Sequence, residues 1–471
     1  MSGKVSVRMY RQGLGDCFLL SFELGGSRPF HMLIDCGALN SQHYTAQRMV
    51  EVVEHILDVT KGRIDVIVLT HEHWDHISGF KQAEALFMDK ARCKVGEVWT
   101  AWTEDPKRTD VAKLKERFKK KKKAVRAAMD RIPPALADQR LAAYGKAIGE
   151  LFGFFGGLGA APGVTESTWD AALKLGKSRY LDPKKPPIEL AELPGIRIYP
   201  LGPPEDPEFI KKRLSSKETY DDDVHAPSMA QNFYAALHEA EDPEAASLAQ
   251  PFDLHYRIPI DDARNDDWFK QRYAFTGSDD DYWRSIEHDW LMSAGELALH
   301  LDSYTNNTCL ALAIELGDGG KVMLFPGDAQ VGNWLSWDEL SWRVKDTSRP
   351  GSQKSITAAD LLSRTALYKV GHHGSHNATM KGRGLERMGS EHLVAMIPVH
   401  RATADDQKWE FPFKALWDRL KEKARGRVLL ADSEDLGDIE NDWIELSEEE
   451  RESFRKAVTH EKLCVKYVMN V

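Results

Sequence analysis

The stretch from Thr70 to Gly79 (Thr-His-Glu-His-Trp-Asp-His-Ile-Ser-Gly) constrains this chain more than any other. It follows the apolar run Ile64 to Leu69, which predicts a buried strand that ends just before the first histidine. Its side chains with metal-ligand chemistry are His71, His73, Asp75 and His76. Alternate side chains of an extended backbone share a face, so the first three are expected to converge, and a turn after Trp74 brings the fourth beside them. Imidazole and carboxylate groups bind zinc, manganese or iron, and isolated surface histidines rarely occur at this density. The stretch therefore predicts a metal site.

Composition sets only broad limits on the rest of the protein. The 471 residues are enough for one large domain with insertions or for two to three domains. The formal net charge of −10 means that any contact with nucleic acid would need a local basic patch. The longest apolar runs fall short of the ~20 residues that span a bilayer, and the N-terminus lacks the apolar core of a signal peptide. Five scattered cysteines without a Cys-x-x-Cys pair argue against a disulfide framework and a thiolate zinc site. We expect a cytoplasmic protein without a membrane partner.

Strand and helix patterns alternate through the first hundred residues and again after residue 300. Strand patterns cover residues 4–9, 17–22, 31–36, 64–69, 95–102, 196–201, 310–316, 321–325, 366–370, 393–399, 427–431 and 464–470, and helix patterns cover 46–57, 80–88 and 413–423. This alternation predicts an α/β domain. Between residues 104 and 185 the pattern is mostly helical and lysine-rich, and we expect no strand there. Residues 205–283 are rich in Asp, Glu, Pro and Ala, which predicts a long surface insertion, followed by a helix over 282–301.

Two further strand ends carry candidate metal ligands, and a third carries an aspartate, Asp35, that is a ligand, an orienter of ligands or a turn-former. Asp35 ends the strand over 31–36, Asp328 follows the strand over 321–325, and the pair His372-His373 follows the strand over 366–370. The ends of parallel strands lie along one edge of a sheet, where the active sites of α/β folds are found. We therefore expect one site with one or two metal ions bridged by a carboxylate.

These motifs together resemble the metallo-β-lactamase fold superfamily, whose signature His-x-His-x-Asp-His stands here at residues 71–76. Asp35 resembles the first motif of that superfamily, Asp328 its bridging aspartate, and His372-His373 its late histidine. Three segments, Gln12 to Asp16, Asn306-Asn307-Thr308 and His-His-Gly-Ser, are similar to the soluble ComEC-like nuclease branch of DNA-uptake proteins. The resemblance implies a four-layer αβ/βα sandwich with two largely helical or irregular insertions.

The resemblance also implies a division of the chain. Residues 1–102 and 300–471 would form the two halves of the sandwich, and residues 190–202 a further core strand. The lysine-rich residues 103–189 would be a helical insertion, and residues 203–299 an acidic one.

By resemblance, His71 and His73 hold one divalent metal ion and Asp75 and His76 a second, with zinc or manganese as the metal. Asp328 bridges the two ions, and either His372 or His373 completes the second site. The other histidine of that pair is left as a proton donor or a phosphate contact. The resemblance therefore makes Asp75, His372 and His373 the catalytic candidates.

Asp35, Asn306 and Asn307 are candidate supporting residues, and one departure from the family concerns this region. Many members carry a further histidine ahead of the strand that leads to the bridging aspartate. Here that segment reads Thr305-Asn-Asn-Thr308. Water or an asparagine would then complete the coordination of the first metal ion, or that ion would be bound weakly.

The implied activity is metal-dependent hydrolysis through a metal-activated hydroxide, with DNA or RNA as the favoured substrate. A lysine run, made of Lys119, Lys120, Lys121, Lys122 and Lys123, is a candidate phosphate contact, or else a solvated helical face. One alternative function is hydrolysis of a small phosphodiester, a lactone or a thioester, with the insertions enclosing a narrow pocket. Another is a subunit of a larger complex, with defence against foreign DNA as one setting. The tryptophan-rich residues 333–342 would then contact a protein partner, although packing against the core is the preferred interpretation.

Overall fold

The computed structural model describes residues 3–130, 163–212, 218–219, 258, 260–273, 301, 303–347, 349 and 351–471. The chain divides into two compact units. Met1–Lys107, Gly153–Val224 and Ser303–Val471 form the first unit, and Arg108–Phe152 with His225–Asp302 form the second. Apart from residue 301, the helix expected over 282–301 lies outside the described residues, as does most of the acidic insertion.

The first unit contains an eight-stranded mixed sheet. Its strands are β1 (Lys4–Tyr10), β2 (Cys17–Glu23), β3 (Phe30–Cys36), β4 (Arg63–Val68), β5 (Lys94–Ala101), β6 (Lys177–Leu181), β15 (Val458–His460) and β16 (Cys464–Asn470). Their order across the sheet is β15-β16-β1-β2-β3-β4-β5-β6. The pairs from β3 to β6 are parallel, and the others are antiparallel.

A six-stranded mixed sheet forms the other half of the unit. Its strands are β7 (Ile196–Gly202), β8 (Ala311–Leu316), β9 (Lys321–Phe325), β12 (Thr365–Lys369), β13 (Val394–Ile397) and β14 (Val428–Leu430). They are arranged in the order β14-β13-β12-β9-β8-β7, and β9, β12, β13 and β14 run parallel. A separate ribbon pairs β10 (Ser341–Lys345) with β11 (Gln353–Thr357).

Helices connect most of these strands. They are α1 (Ala46–Thr60), α2 (Trp74–Gln82), α3 (Glu84–Met88), α4 (Thr109–Asp130), α5 (Val164–Leu173), α6 (Pro207–Lys211), α7 (Ile260–Asn265), α8 (Asp267–Tyr273), α9 (Val331–Ser336), α10 (Ala358–Ser363), α11 (Arg401–Asp406), α12 (Lys414–Lys423), α13 (Gly437–Glu440) and α14 (Glu448–Ala457). Among them α4, α7 and α8 belong to the second unit. No described helix is both long enough and apolar enough to cross a bilayer.

The hydrophobic residues of the first unit form three layers of core. The alternation along β2 shows how: Phe18, Leu20 and Phe22 pack between the two sheets, while Leu19 faces the helices outside. Helices α1 and α2 cover the outer face of the eight-stranded sheet, and α9, α10 and α12 cover that of the six-stranded sheet. The order helix, sheet, sheet, helix is the four-layer αβ/βα sandwich that the resemblance implies, so the predicted fold class is confirmed.

The tryptophan-rich residues 333–342 belong to this core. Trp334, Trp337 and Trp342 are at most 4% exposed and pack in the layer outside the six-stranded sheet. The preferred interpretation of core packing is therefore confirmed, and the interpretation of these tryptophans as a partner interface is wrong.

Three details of the predicted fold are wrong. The strand β6 lies in the segment where we expect none, because it is a half-exposed edge strand without apolar alternation. Helix α2 begins at Trp74 rather than near residue 80, since tight packing of Ser78 and Gly79 overrides their weak helix propensity. The candidate ligands do not share the edge of one parallel sheet, because β4 belongs to the eight-stranded sheet and β9 and β12 to the six-stranded one.

Candidate metal centre

The ends of β4, β9 and β12 bring four buried ligand groups together. Asp75, His76, Asp328 and His373 each place one ligand atom within 4.8 Å of the others, and none of the four is exposed. Asp75 and His76 stand in the first turn of α2, directly after the last residues of β4. We call these four residues the primary cluster.

His76 has both ring nitrogens fixed by carboxylates. Its Nδ1 lies 2.8 Å from Asp35 Oδ2, and its Nε2 lies 3.0 Å from Asp328 Oδ2 and 3.4 Å from Asp75 Oδ2. Burial alone would lower the pKa of His76, but Asp328 and Asp75 raise it well above its ordinary value. An imidazole whose Nδ1–H is held by an outer carboxylate presents Nε2 as an inner ligand, which is the usual arrangement around protein-bound metals.

His373 repeats this arrangement from the other sheet. Its Nδ1 lies 2.8 Å from the carbonyl oxygen of Pro398, which can only accept, so Nδ1 carries the hydrogen. Its Nε2 lies 3.0 Å from Asp75 Oδ2. Burial raises the pKa of the Asp75 carboxyl, but His76 and His373 lower it more. The pKa of that carboxyl therefore lies well below its usual range.

Asp35 orients both ends of the His71–His76 motif. Its carboxylate accepts hydrogen bonds from the Thr70 backbone nitrogen at 2.9 Å, from Thr70 Oγ1 at 2.7 Å, and from His76 Nδ1. Because the Thr70 hydroxyl donates to Asp35, it accepts from His71 Nδ1, 3.0 Å away. Asp35 thus fixes His76 directly and His71 through Thr70.

His71 and His73 form a second pair of ligand groups. His71 Nε2 and His73 Nδ1 lie 3.0 Å apart, and burial lowers the pKa of His73 to about 3. Burial also holds the pKa of His71 well below its ordinary value, so both rings are neutral at pH 7, the form that binds metals. Cys309 does not replace the histidine that this region lacks, since its Sγ faces the outer nitrogen of His71, Nδ1, at 3.6 Å.

His372 and His373 are separated by the local backbone. Both adopt left-handed conformations, with φ of 43° and 53°, and their ring centroids lie 5.9 Å apart. His372 keeps near the primary cluster through its backbone nitrogen, 3.0 Å from Asp328 Oδ1, while its ring lies 5.8 Å from that of Phe411. Left-handed residues other than glycine cost about 1–2 kcal/mol each, and such strain concentrates at functional sites.

The hydrogen bonds of Ser375 fix the tautomer of His372. The Ser375 hydroxyl donates to Asn377 Oδ1 at 3.0 Å, so His372 Nδ1, 3.1 Å away, donates to Ser375. Its Nε2 is then the proton acceptor of the ring. Burial lowers the pKa of His372 to about 4, so the imidazole is neutral at pH 7.

Lys369 and Asp16, two buried residues that were not among the predicted site residues, complete the centre. Lys369, 1% exposed, contacts Asp16 Oδ2 and lies 3.2 Å from Asp328 Oδ1 and 2.8 Å from the Gly327 carbonyl oxygen. Burial lowers the pKa of Lys369, but Asp16 and Asp328 raise it above its ordinary value, so the ammonium is a fixed positive charge. A lysine at the end of an otherwise apolar strand, two residues before Gly-His-His, was the available signal.

Close backbone packing joins these loops. A methyl group on Gly37 would meet the carbonyl carbon of Asp75 and lie 2.5 Å from the His76 nitrogen. The backbone nitrogen of Asp16 donates to the carbonyl oxygen of Asp75 at 2.9 Å. The first turn of α2 is therefore held by two loops of the eight-stranded sheet.

The two predicted asparagines and the predicted lysine run are not among the ligand groups of the primary cluster. Asn306 is fully buried, and the Asn307 side chain donates to the carbonyl oxygens of Ile210 and Lys212 and accepts from the backbone nitrogen of Asn333. These contacts of Asn307 tie neighbouring segments of the first unit together. The predicted lysine run lies in α4 of the second unit, where Lys119 and Lys120 are exposed and Lys122 Nζ lies 5.8 Å above the Phe118 ring. The side chains of Lys121 and Lys123 are outside the described part.

The donor set fits a divalent metal ion. Oδ1 of Asp75 and Oδ1 of Asp16 are buried, and neither has a hydrogen-bond partner among the residues that the structure describes. Such oxygens are costly to bury unless a cation satisfies them. Carboxylate and imidazole ligands together suit zinc and manganese.

Comparison with known proteins agrees with this geometry. Residues 30–167 match the family model of the metallo-beta-lactamase superfamily. The match and the His/Asp cluster together indicate a metal-dependent hydrolase. No curated protein matches the sequence. The match does not distinguish the branches of the superfamily, so the ComEC-like branch stays a prediction.

Proposed function

We propose that this protein is a metal-dependent phosphodiesterase that cleaves nucleic acid. The observation that carries the proposal is the primary cluster, in which two carboxylates converge with two imidazoles that each present Nε2. In this proposal Asp75, His76, Asp328 and His373 hold one divalent ion, zinc or manganese.

A second divalent ion would use His71 and His73 and share Asp328 with the first. This position has fewer protein ligands than the primary cluster, so we expect it to bind metal more weakly. Titration of the metal-free protein with zinc or manganese should then give two unequal binding steps. Asp75→Ala should remove the tight step, and His73→Ala should remove only the weak one. Two equal steps would contradict this assignment.

Metal bound at such a centre lowers the pKa of a bound water molecule from ~15.7 to about 7, which supplies the nucleophile near neutral pH. Asp75 would bind the ion beside His373 and would orient the attacking group. His372 Nε2 is placed to accept a proton beside the cluster. Lys369 holds Asp328 in place from the side away from His76 and offsets part of the carboxylate charge.

The charge of the centre favours an anionic substrate. Its four aspartates, Asp16, Asp35, Asp75 and Asp328, together with Lys369 carry a formal charge of −3. One divalent ion leaves the centre at −1, whereas two bring it to +1. At +1 the doubly loaded centre attracts a phosphodiester as it binds, before the bound water loses its proton, whereas a neutral lactone or thioester gains nothing from this charge.

Two features of the protein favour substrates of different size. The exposed lysines of α4 support contact with a polymer, because each neutralised phosphate adds salt-dependent affinity. The complete burial of the primary cluster favours a small phosphodiester instead. We retain nucleic acid as the first candidate and a small phosphodiester as the second.

A cleavage assay with paired variants tests the proposal. The metal-loaded protein should nick plasmid DNA or cleave RNA, and His73→Ala with Asp75→Ala should abolish this activity. His392→Ala, at an exposed histidine outside the centre, is the control and should cleave normally. Changing Lys119 and Lys120 to Gln should slow cleavage of the polymer but leave hydrolysis of bis(p-nitrophenyl) phosphate unchanged.

Other results of these assays would favour one of the alternative functions. Hydrolysis of bis(p-nitrophenyl) phosphate without cleavage of any DNA or RNA would favour a small phosphodiester. Hydrolysis of lactones or thioesters alone would refute the charge argument. A metal-loaded protein that hydrolyses none of these and co-purifies with a protein partner would favour a subunit of a larger complex.

A further inference from the structure

A cavity of about 610 Å³ lies at the end of the sandwich away from the metal centre. Strands β9, β12 and β13 begin at its wall, with Lys321, Ala366 and Val394, and end at the loops that carry the metal centre. A strand of five residues spans roughly 16 Å, so the cavity is separate from the primary cluster. Its volume falls within the range of about 300–1,000 Å³ that is typical of small-molecule sites.

The walls of the cavity combine cations with two aromatic rings. One wall is α14, and the other is the end of β16 from Tyr467 to Asn470. The rings of Phe454 and Tyr467 lie 6.1 Å apart. Burial raises the pKa of Tyr467 to about 12, so its phenol stays protonated at neutral pH and can donate a hydrogen bond.

Arg427 is the most informative residue of the lining. It is only 5% exposed, and its guanidinium donates to the carbonyl oxygens of Ala424, at 3.0 Å, and Glu391. Among the described residues, no carboxylate lies within ion-pair distance of it. Burial lowers its pKa, as expected for a positive charge without a counter-ion. A buried charge left in this state is costly, and an anion in the cavity would relieve the cost.

Two exposed lysines add to this positive charge. Lys4 and Lys321 line the same cavity, and neither forms an ion pair within the described part of the chain. Among the residues that the structure describes, the ammonium of Lys321 donates to the carbonyl oxygen of Asn470 alone, at 3.1 Å. Both lysines therefore keep donors for a ligand.

The other charged residues of the lining nearly cancel. Lys456 pairs with Glu452 at 2.6 Å, and Glu450 pairs with Arg425 at 2.8 Å. Glu449 remains as the opposing charge. Arg427, Lys4 and Lys321 form no ion pair with the described residues, so the lining has a formal excess of +2. This excess is notable in a chain whose net charge is −10.

We propose that this cavity binds a small phosphate-bearing molecule, with Arg427, Lys321 and Lys4 as its phosphate ligands. The planar fork of an arginine matches the oxygens of a phosphate, and the two lysines beside Asn470 suit a group with more than one negative charge. The rings of Tyr467 and Phe454 form the adjoining wall for the rest of the ligand. The ligand class is thus a nucleotide or a free polyphosphate.

Calorimetric titration of the full chain tests the site apart from the metal centre. The protein carries Asp75→Ala and is kept in chelator, so that binding through metal does not contribute. Pyrophosphate and ADP are the probes, and adenosine and citrate are the controls for the phosphate group. Lys321→Met and Lys4→Met should each weaken binding by about tenfold, from the loss of one charge-assisted hydrogen bond. Lys94→Met, at another exposed lysine that begins a strand, should change nothing.

Arg427→Gln should abolish binding, and the two lysine variants decide the result if that variant does not fold. Tighter binding of ADP than of pyrophosphate identifies a nucleotide, and equal binding identifies a polyphosphate. The proposal is overturned if neither probe binds, if the lysine variants bind as tightly as the parent, or if citrate binds as well as pyrophosphate.

Discussion

Replacing Asp35 with asparagine should weaken metal binding although no proposed metal ligand is changed. The Asp35 backbone is left-handed, with φ of 54°, and asparagine tolerates that conformation, so the substitution adds little strain. The carboxylate accepts from the Thr70 backbone through Oδ1, and from Thr70 Oγ1 and His76 Nδ1 through Oδ2. An asparagine keeps one acceptor oxygen and places an NH₂ group against two donors.

The resulting conflict should act on His76. To avoid two opposed donors, the imidazole must move its hydrogen from Nδ1 to Nε2, which then faces Asp328 and can no longer bind metal. Loss of a residue that orients a metal-binding histidine typically costs 10- to 100-fold in metal affinity, or about 1.4–2.7 kcal/mol. We expect Asp35→Asn to weaken the tight metal-binding step by that amount.

Competition with a zinc indicator dye would measure the affinity, and thermal unfolding of the metal-free protein would measure stability. Asp65→Asn is the matched control, since Asp65 is also a buried aspartate and accepts hydrogen bonds from Arg28, Arg63 and the His31 backbone. Asp65 stands near the start of β4 rather than at its end. The control should lose stability and keep its metal affinity. Equal affinity in Asp35→Asn and the parent protein would refute the proposed role of Asp35.

Three further predictions concern other parts of the fold. Gly37→Ala should destabilise the protein by roughly 1–3 kcal/mol in denaturant unfolding, because its methyl group would overlap the first turn of α2, whereas Gly26→Ala, in open surroundings, should stay within about 0.5 kcal/mol. Trp334→Ala should cost about 3–5 kcal/mol, because it removes a buried ring stacked 4.0 Å from Trp337, and a loss below 1 kcal/mol would contradict its place in the core. The backbone nitrogen and hydroxyl of Ser447 and the Arg425 side chain lower the pKa of Glu450 to about 2 in the folded state. This carboxylate therefore contributes stability above pH 4.5 that is lost as the pH falls toward 2, and thermal unfolding of Glu450→Gln should lack that part of the pH dependence.

Local sequence patterns were sufficient for an α/β domain and for half of the metal centre, whereas the four-layer sandwich came from the resemblance to a family. The apolar run before His71 predicts β4. The dense His/Asp motif after that run predicts that ligand groups gather beyond the end of the strand. Both follow from the period of the backbone, which operates over a few residues. The shared strand-end context already selected Asp328 and His372-His373, and the resemblance to a family supplied their roles as bridging aspartate and late histidine.

The remaining features depend on contacts between distant segments. The choice between His372 and His373 rests on two left-handed residues in succession, and neither periodicity nor composition predicts such a backbone. Lys369 has the sequence context of a buried strand, and its charge is acceptable there only because Asp16, from a loop of the other sheet, is beside it. The cavity around Arg427 likewise forms only when the strand starts of one sheet meet α14 and the end of β16.

The order of the metal-centre residues along the chain has a consequence for synthesis in the cell. Asp16, Asp35 and the His71–His76 motif leave the ribosome early, whereas Asp328 and His373 follow only in the last third of the chain. A nascent chain therefore exposes a partial set of ligands for most of its synthesis and cannot close a four-ligand cage until the second sheet docks. Capture of metal by this cage should thus be a late event that follows docking of the second sheet, and once made it links the two sheets as a cross-link does. Withholding metal during expression should then yield a folded protein that takes up its ions afterwards.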